Sequence, residues 1–249
     1  MQTLEQRRVV ITGGSRGLGA GVVESLVARH ANVTVVARDS QPLTEIKDRL
    51  GVSIISGDAT DPKLAESTLR EMRPSVLVLN AGAAPTMAGL HEQTWESFST
   101  NWNTDVRATF HWIQAALRLP LERGSRVLMS SSGAAVDGSP LSGGYAGAKR
   151  MIWMMAGYAN GVASDLDLGI RFQALLVRQI VGATDLGHAA AEAYARKKGV
   201  NTEEFLARFG KPLTPRDFGE HVVTVLTDPE YEAATAFGIR GETGVEVLN

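Results

Sequence analysis

Val9-Val10-Ile11-Thr12-Gly13-Gly14-Ser15-Arg16-Gly17-Leu18-Gly19 is a β-branched apolar run that stops at glycines and reopens as a helical pattern carrying Val22, Val23 and Leu26. β-Branched residues suit a strand, and an apolar run with no polar alternation suits one covered on both faces. The glycines let the main chain turn sharply and come close to a bound group. The helix behind them offers free N–H groups and the positive end of its dipole, an arrangement that receives a pyrophosphate. Strand, glycine turn and helix together read as the opening of a βαβ unit with a nucleotide at its turn.

The same rhythm continues outward. Strands are expected over Arg8 to Thr12, Asn32 to Ala37, Ser53 to Ser56, Ser75 to Asn80, Arg126 to Ser130 and Gly169 to Val177. Helices are expected over Gly17 to Ala28, Pro62 to Met72, Thr94 to Leu119, Gly144 to Ser164, and from Pro215 to Leu226. Strands alternating with helices give an α/β fold, a doubly wound parallel sheet of Rossmann type with helices on both faces and right-handed crossovers. No linker interrupts residues 1–249, which read as one domain. Residues 182–212 depart from the rhythm, with short helical patterns at His188 to Lys198 and Glu203 to Arg208, and read as a lid over a substrate.

A composition of 44% hydrophobic and 21% charged residues with a net charge of −2 is that of an ordinary globular chain, and implies neither nucleic acid nor membrane as a partner. The absence of cysteine excludes disulfides, thiolate catalysis and thiolate-bound zinc. The five histidines, His30, His91, His111, His188 and His221, show no ligand spacing, so no metal is expected. The polar start of the chain and the lack of a long apolar stretch suggest a cytoplasmic protein.

Chemistry enters at Tyr145-Ala-Gly-Ala-Lys149. A tyrosine and a lysine four residues apart share a helix face, and an ammonium near a phenol favours its ionised form, giving a general acid/base. Ser130-Ser131-Ser132 ends the strand upstream, and Ser132 lies thirteen residues before Tyr145. At the end of the second strand, Ala37-Arg38 stands where an NAD-specific site generally has a carboxylate. Arg38 and Arg16 therefore favour a 2′-phosphate, although Asp39 leaves open a contact to a ribose hydroxyl.

The glycine spacing, Asn80-Ala81-Gly82, and the Ser132, Tyr145 and Lys149 set resemble the short-chain dehydrogenases/reductases over essentially the whole chain. That resemblance implies an NADP(H)-dependent oxidoreductase interconverting a ketone or aldehyde with an alcohol. Gly13, Ser15, Arg16, Gly17, Leu18, Gly19, Arg38, Asp58, Ala59, Asn80, Ala81, Gly82, Tyr145 and Lys149 would then bind the cofactor. By the same resemblance Ser132 would stabilise the substrate oxygen, Tyr145 would exchange its proton, and Lys149 would tune the phenol and hold the nicotinamide ribose.

The family's fourth catalytic position is an asparagine in the long helix. Asn101, Asn103 and Asp105 compete for it: counting back from Ser132 favours Asn103, counting back from Phe110 favours Asp105, and Asn103 is chosen. The family's Pro-Gly after the sixth strand is missing here. Ile180 and Thr184 remain candidates for the nicotinamide carboxamide, and Arg178 is either a surface salt bridge or a recogniser of an acidic substrate. Subunit contacts like those of the family would make a homotetramer or homodimer. Two other functions are weighed: a nucleotide-binding regulator or scaffold without turnover, and an isomerase, dehydratase or enoyl reductase on the same fold.

Overall fold

The computed structural model describes residues 3–38 and 40–248; Asp39 lies outside the described residues. The elements in chain order are β1 (Arg8–Thr12), α1 (Gly17–Val27), β2 (Asn32–Ala37), α2 (Ser40–Leu50), β3 (Ser53–Ser56), α3 (Pro62–Met72), β4 (Val76–Leu79) and α4 (Trp95–Asn101). A π turn, Trp102–Val106, joins α4 to α5 (Arg107–Arg118). Then follow β5 (Arg126–Ser132), α6 (Ala134–Asp137), α7 (Tyr145–Asp165), β6 (Arg171–Val177), α8 (Asp185–Lys198), α9 (Thr202–Ala207), α10 (Pro215–Thr227), β7 (Ala236–Arg240) and β8 (Gly244–Val247).

One eight-stranded sheet runs in the order β3-β2-β1-β4-β5-β6-β7-β8, parallel except for the antiparallel β8 at its edge. The unbroken apolar runs are explained by burial on both sides. Val9 and Ile11 enter a core with Val22 and Leu26 of α1 and Phe218 and Val222 of α10. Val10 turns to the opposite face, which is filled by Trp112 of α5 and Ile152 and Ala156 of α7. Each such aliphatic side chain contributes about 1.5–3 kcal/mol by leaving water.

The sheet order reverses between β1 and β4, so the loops after these two strands diverge and leave a crevice at their carboxyl ends. The long helix expected over Thr94 to Leu119 is instead α4, the π turn and α5. The wider turn inserts a residue into the helical count, and that shift decides which polar side chain faces the site. Four elements were not anticipated: α2, the short α6, and the hairpin partners β7 and β8.

Candidate active site

A cavity of about 1040 Å³ lies along the crevice, lined by every site residue expected from the sequence except Gly19, which is buried at the start of α1. At one end is the glycine loop. Gly13 sits at φ +67°, and a Cβ there would lie 2.7 Å from Ala81 Cα. At Gly19 a Cβ would lie 2.1 Å from the Gly13 carbonyl oxygen. Asn80 donates its side-chain N–H to that same oxygen at 3.0 Å, and its own Oδ1 accepts from Ser130 Oγ at 2.9 Å. The glycines thus create a bare-backbone cradle at the start of α1, shaped for a dinucleotide's phosphates.

Beside this cradle, Arg16 and Arg38 are exposed cations at the cavity wall. Arg16 pairs at 3.2 Å with Asp185, the first residue of α8. Asp58 accepts from the Thr60 N–H at 2.9 Å, and this bond, with help from Arg38 and Arg107, holds its carboxyl below the ordinary range. Asp58 does not cap α3; Asp61 does, accepting from Lys63 N at 2.8 Å. Ala59 is fixed from behind by the buried Trp112 indole, which donates to its carbonyl at 3.0 Å.

The three serines at the end of β5 have different partners. Ser130 is committed to Asn80, and Ser131 donates to the Lys149 carbonyl at 2.8 Å. Ser132 Oγ accepts from Ala134 N at 3.2 Å and lines the cavity with Tyr145. Lys149 Nζ lies 5.6 Å from the centre of the Tyr145 ring and donates to the Ser130 carbonyl at 3.2 Å.

The choice of Asn103 needs correction. Its side chain is exposed and donates to Ser99 Oγ at 3.1 Å, whereas the group against Lys149 is Asp105, whose Oδ2 is 3.0 Å from Nζ. Asp105 is 1% exposed. Its Oδ1 accepts from Ala83 N at 2.9 Å and from Thr104 Oγ1 at 2.8 Å, and Asn101 Nδ2 approaches it at 3.4 Å. A Cβ on Gly82 would collide with Asp105 Oδ2 at 2.8 Å, so the Asn-Ala-Gly turn makes room for the carboxylate. Burial alone would push Lys149 down, but the Asp105 charge, with Tyr145, outweighs it and holds the lysine above its ordinary pKa.

The far wall comes from residues 182–212. Ala191, Ala195 and Phe205 form a small core with Ile180, Tyr194 and Phe209 packed on it. The Tyr194 hydroxyl accepts from Leu141 N at 3.2 Å and bonds Ser139 Oγ at 2.8 Å, tying α8 to the loop that precedes Tyr145. Thr184 caps α8, accepting from Gly187 N at 3.1 Å, and donates to the Val181 carbonyl at 2.9 Å.

Arg178 lines the cavity, with its stem over Gly238 and its guanidinium 3.7 Å from Glu246 of β8. This is the salt-bridge alternative, made within the chain. Gln179 fills the missing Pro-Gly position and was not singled out by the sequence. Its side chain accepts from Gly241 N at 2.7 Å and donates to Lys211 O at 3.2 Å, bridging the β7–β8 turn and the end of the 182–212 segment.

The short chain dehydrogenase family model matches residues 7–175. This chain belongs to that family and is an oxidoreductase. It is 28% identical to the hydroxynaphthalene reductase arp2 of Aspergillus fumigatus, over 92% of this chain and 88% of that one. It is 29% identical to the 2,5-dichloro-2,5-cyclohexadiene-1,4-diol dehydrogenase of Sphingobium indicum, over 71% and 73% of the two chains. Among solved structures it resembles a 3-ketoacyl-(acyl-carrier-protein) reductase from Brucella melitensis complexed with NADH, at a TM-score of 0.75 and 20% identity, covering 96% of this chain and 98% of that one.

Proposed function

We propose that this chain is an NADPH-preferring reductase that interconverts a ketone or aldehyde with an alcohol, using Tyr145 as proton donor and acceptor. The observation that carries the reading is the convergence in one cavity of the glycine cradle, Ser132, Tyr145 and a buried, ion-paired Lys149. A scaffold that only bound nucleotide would have no use for a buried cation beside a phenol.

Roles follow from chemistry and placement. Gly13, Ser15, Gly17, Leu18 and Gly19 present backbone to the phosphates. Arg16 and Arg38 supply the positive charge a 2′-phosphate needs, Arg16 exchanging Asp185 for it. Asp58 and Ala59 border the adenine, Asn80, Ala81 and Gly82 the ribose, and Ile180 and Thr184 the carboxamide. Bound there, the reduced nicotinamide supplies a hydride from its C4 carbon.

Ser132 Oγ, with Ser130 and Ser131 already committed elsewhere, hydrogen-bonds the substrate oxygen and stabilises the charge that builds on it. Tyr145 delivers the proton to that oxygen in reduction and removes it in oxidation. Lys149 has donors left beyond Asp105 and Ser130 O to hold a ribose hydroxyl. Tyr194, Phe205 and Phe209 close the wall opposite and exclude water.

Apolar side chains exposed on α5 and α7, namely Phe110, Met154, Tyr158 and Val162, with Leu166 just beyond α7, support a homodimer or homotetramer through these helices.

Calorimetric titration with NADPH and NADH at equal salt tests the cofactor reading. NADPH is expected to bind tighter, and Arg38→Ala to weaken NADPH by about 10-fold or more while leaving NADH nearly unchanged, the effect of one charge-assisted hydrogen bond. Equal affinities for the two cofactors would refute the preference.

A further inference from the structure

The buried carboxylate of Asp105 is the one acid in direct contact with the catalytic lysine among the described residues. It sits on the π turn, at a place where the family pattern has a neutral asparagine. Its oxygens are met by donors: Oδ1 receives a backbone N–H from Ala83 and lies 2.8 Å from the Thr104 hydroxyl, and Oδ2 receives the ammonium. The Ala83 N–H and the ammonium can only donate, and the Thr104 hydroxyl, which also lies 2.8 Å from the Thr100 carbonyl, has one proton to share between the two oxygens.

That charge changes what Tyr145 meets. With an asparagine, the ion formed on deprotonating Tyr145 would face the full charge of Lys149. With Asp105 present, the lysine's charge is already balanced at 3.0 Å, and a phenolate would bring a second negative charge into a site that holds only one positive. The other groups around the phenol do little to alter this. The facing end of β5, Ser130 to Ser132, and the turn Asn80-Ala81-Gly82 are neutral. Asp137 of α6 lines the same cavity and adds negative charge, and Arg178 after β6 is engaged by Glu246.

Resting on the assignment of Tyr145 as the acid/base, we propose that Asp105 is a positioning residue that keeps the Tyr145 phenol protonated and so poises the enzyme for carbonyl reduction. In that direction the carbonyl carbon receives the hydride, its oxygen receives the Tyr145 proton, and solvent returns a proton to the phenolate. The reverse reaction needs the phenolate at the outset, so alcohol oxidation should gain speed only at alkaline pH. The overall equilibrium is unchanged; what Asp105 sets is the pH at which each direction runs.

The test compares the wild-type protein with Asp105→Asn by ultraviolet absorbance titration of tyrosine near 295 nm, subtracting Tyr145→Phe in each background to isolate one phenol among the four tyrosines. This readout needs no turnover, so it stands even if the chain proves not to be a reductase. Asp105→Asn is expected to move the Tyr145 ionisation to lower pH by about one unit or more, the size of effect from one nearby charge. Asp105→Glu, which keeps the charge, should remain within about half a unit of wild type by the same scale. No downward movement in Asp105→Asn would overturn the proposal. Circular dichroism and NADPH binding establish that the variant is folded. If it is not, the wild-type pH–rate profile decides: reduction flat through neutral pH with oxidation still rising toward alkaline pH supports the proposal, and oxidation already at its plateau near neutral pH overturns it.

Discussion

Gly19→Ala puts the cofactor cradle under direct test. The added methyl would lie 2.1 Å from the Gly13 carbonyl oxygen and 2.7 Å from Asn80 Nδ2, both well inside contact distance. Neither neighbour is a free side-chain end. The carbonyl belongs to a residue held at positive φ, and Asn80 is anchored through Ser130. The loop must move outward and give up the Asn80–Gly13 hydrogen bond. Overpacking costs about 1–3 kcal/mol and the bond about 1 kcal/mol, so the variant should lose about 2–4 kcal/mol. In a domain of this size that lowers the melting temperature by about 10 °C.

Gly17→Ala is the control. Its methyl would have 3.6 Å to the nearest atom, Thr184 Cγ2, so only the strain of φ +56° remains, about 1 kcal/mol. Circular-dichroism melts and calorimetric titration with NADPH should separate the pair: Gly19→Ala with a large loss of stability and cofactor affinity down by about 10-fold or more, a 1.4 kcal/mol effect, and Gly17→Ala with a small loss of stability. A Gly19→Ala protein that melts and binds like wild type would refute the steric argument.

Other consequences are open to measurement. Arg126 is buried at the start of β5, donating to Gln173 Oε1 and, at 2.8 Å, to the Val225 carbonyl in the last turn of α10. Arg126→Ala leaves these acceptors unsatisfied and should cost about 3 kcal/mol in chemical denaturation; a loss below about 1 kcal/mol would contradict that account. Glu220 is held below its ordinary 4.5 by the Arg29 guanidinium at 2.5 Å, with burial opposing and Ser25 assisting. A carboxyl lowered on folding stabilises above its unfolded pKa and loses that contribution as pH falls through the folded value. Wild type should therefore exceed Glu220→Gln in stability at neutral pH and converge with it in acid, and parallel curves would exclude the linkage.

The ends of β1, β2, β3 and α3 match their sequence reading because each is bounded by a strong local signal: β-branched runs stopped by glycine or polar residues, and Asp61-Pro62 opening α3. The sequence singled out Tyr145 and Lys149 by their spacing on one helix, Ser132 by its interval to Tyr145 and the glycine loop by its turn, and the structure brings them to one cavity. Asp105 was weighed but passed over because the choice rested on an interval counted back from Ser132, and a linear interval does not say which side chain the π turn brings to Lys149. Gln179 and Tyr194 gave no signal at all. Their bonds, to Gly241 and Lys211 and to Ser139 and Leu141, join segments about 30 to 60 residues apart that only the folded sheet brings together. For Arg178 both a salt bridge and an acidic substrate stayed open because β8, which supplies its partner Glu246, was not expected.

Tyr145→Phe tests the central claim most directly, measured as single-turnover oxidation of bound NADPH with a carbonyl substrate that the wild type reduces. The substitution removes one hydroxyl and leaves the ring, Lys149 and the cradle in place. The account predicts that turnover falls by about 10²-fold or more, the scale of general acid catalysis, while the NADPH dissociation constant changes by less than about 3-fold. Turnover retained within a factor of about 3 would contradict the assignment of Tyr145 as the proton donor.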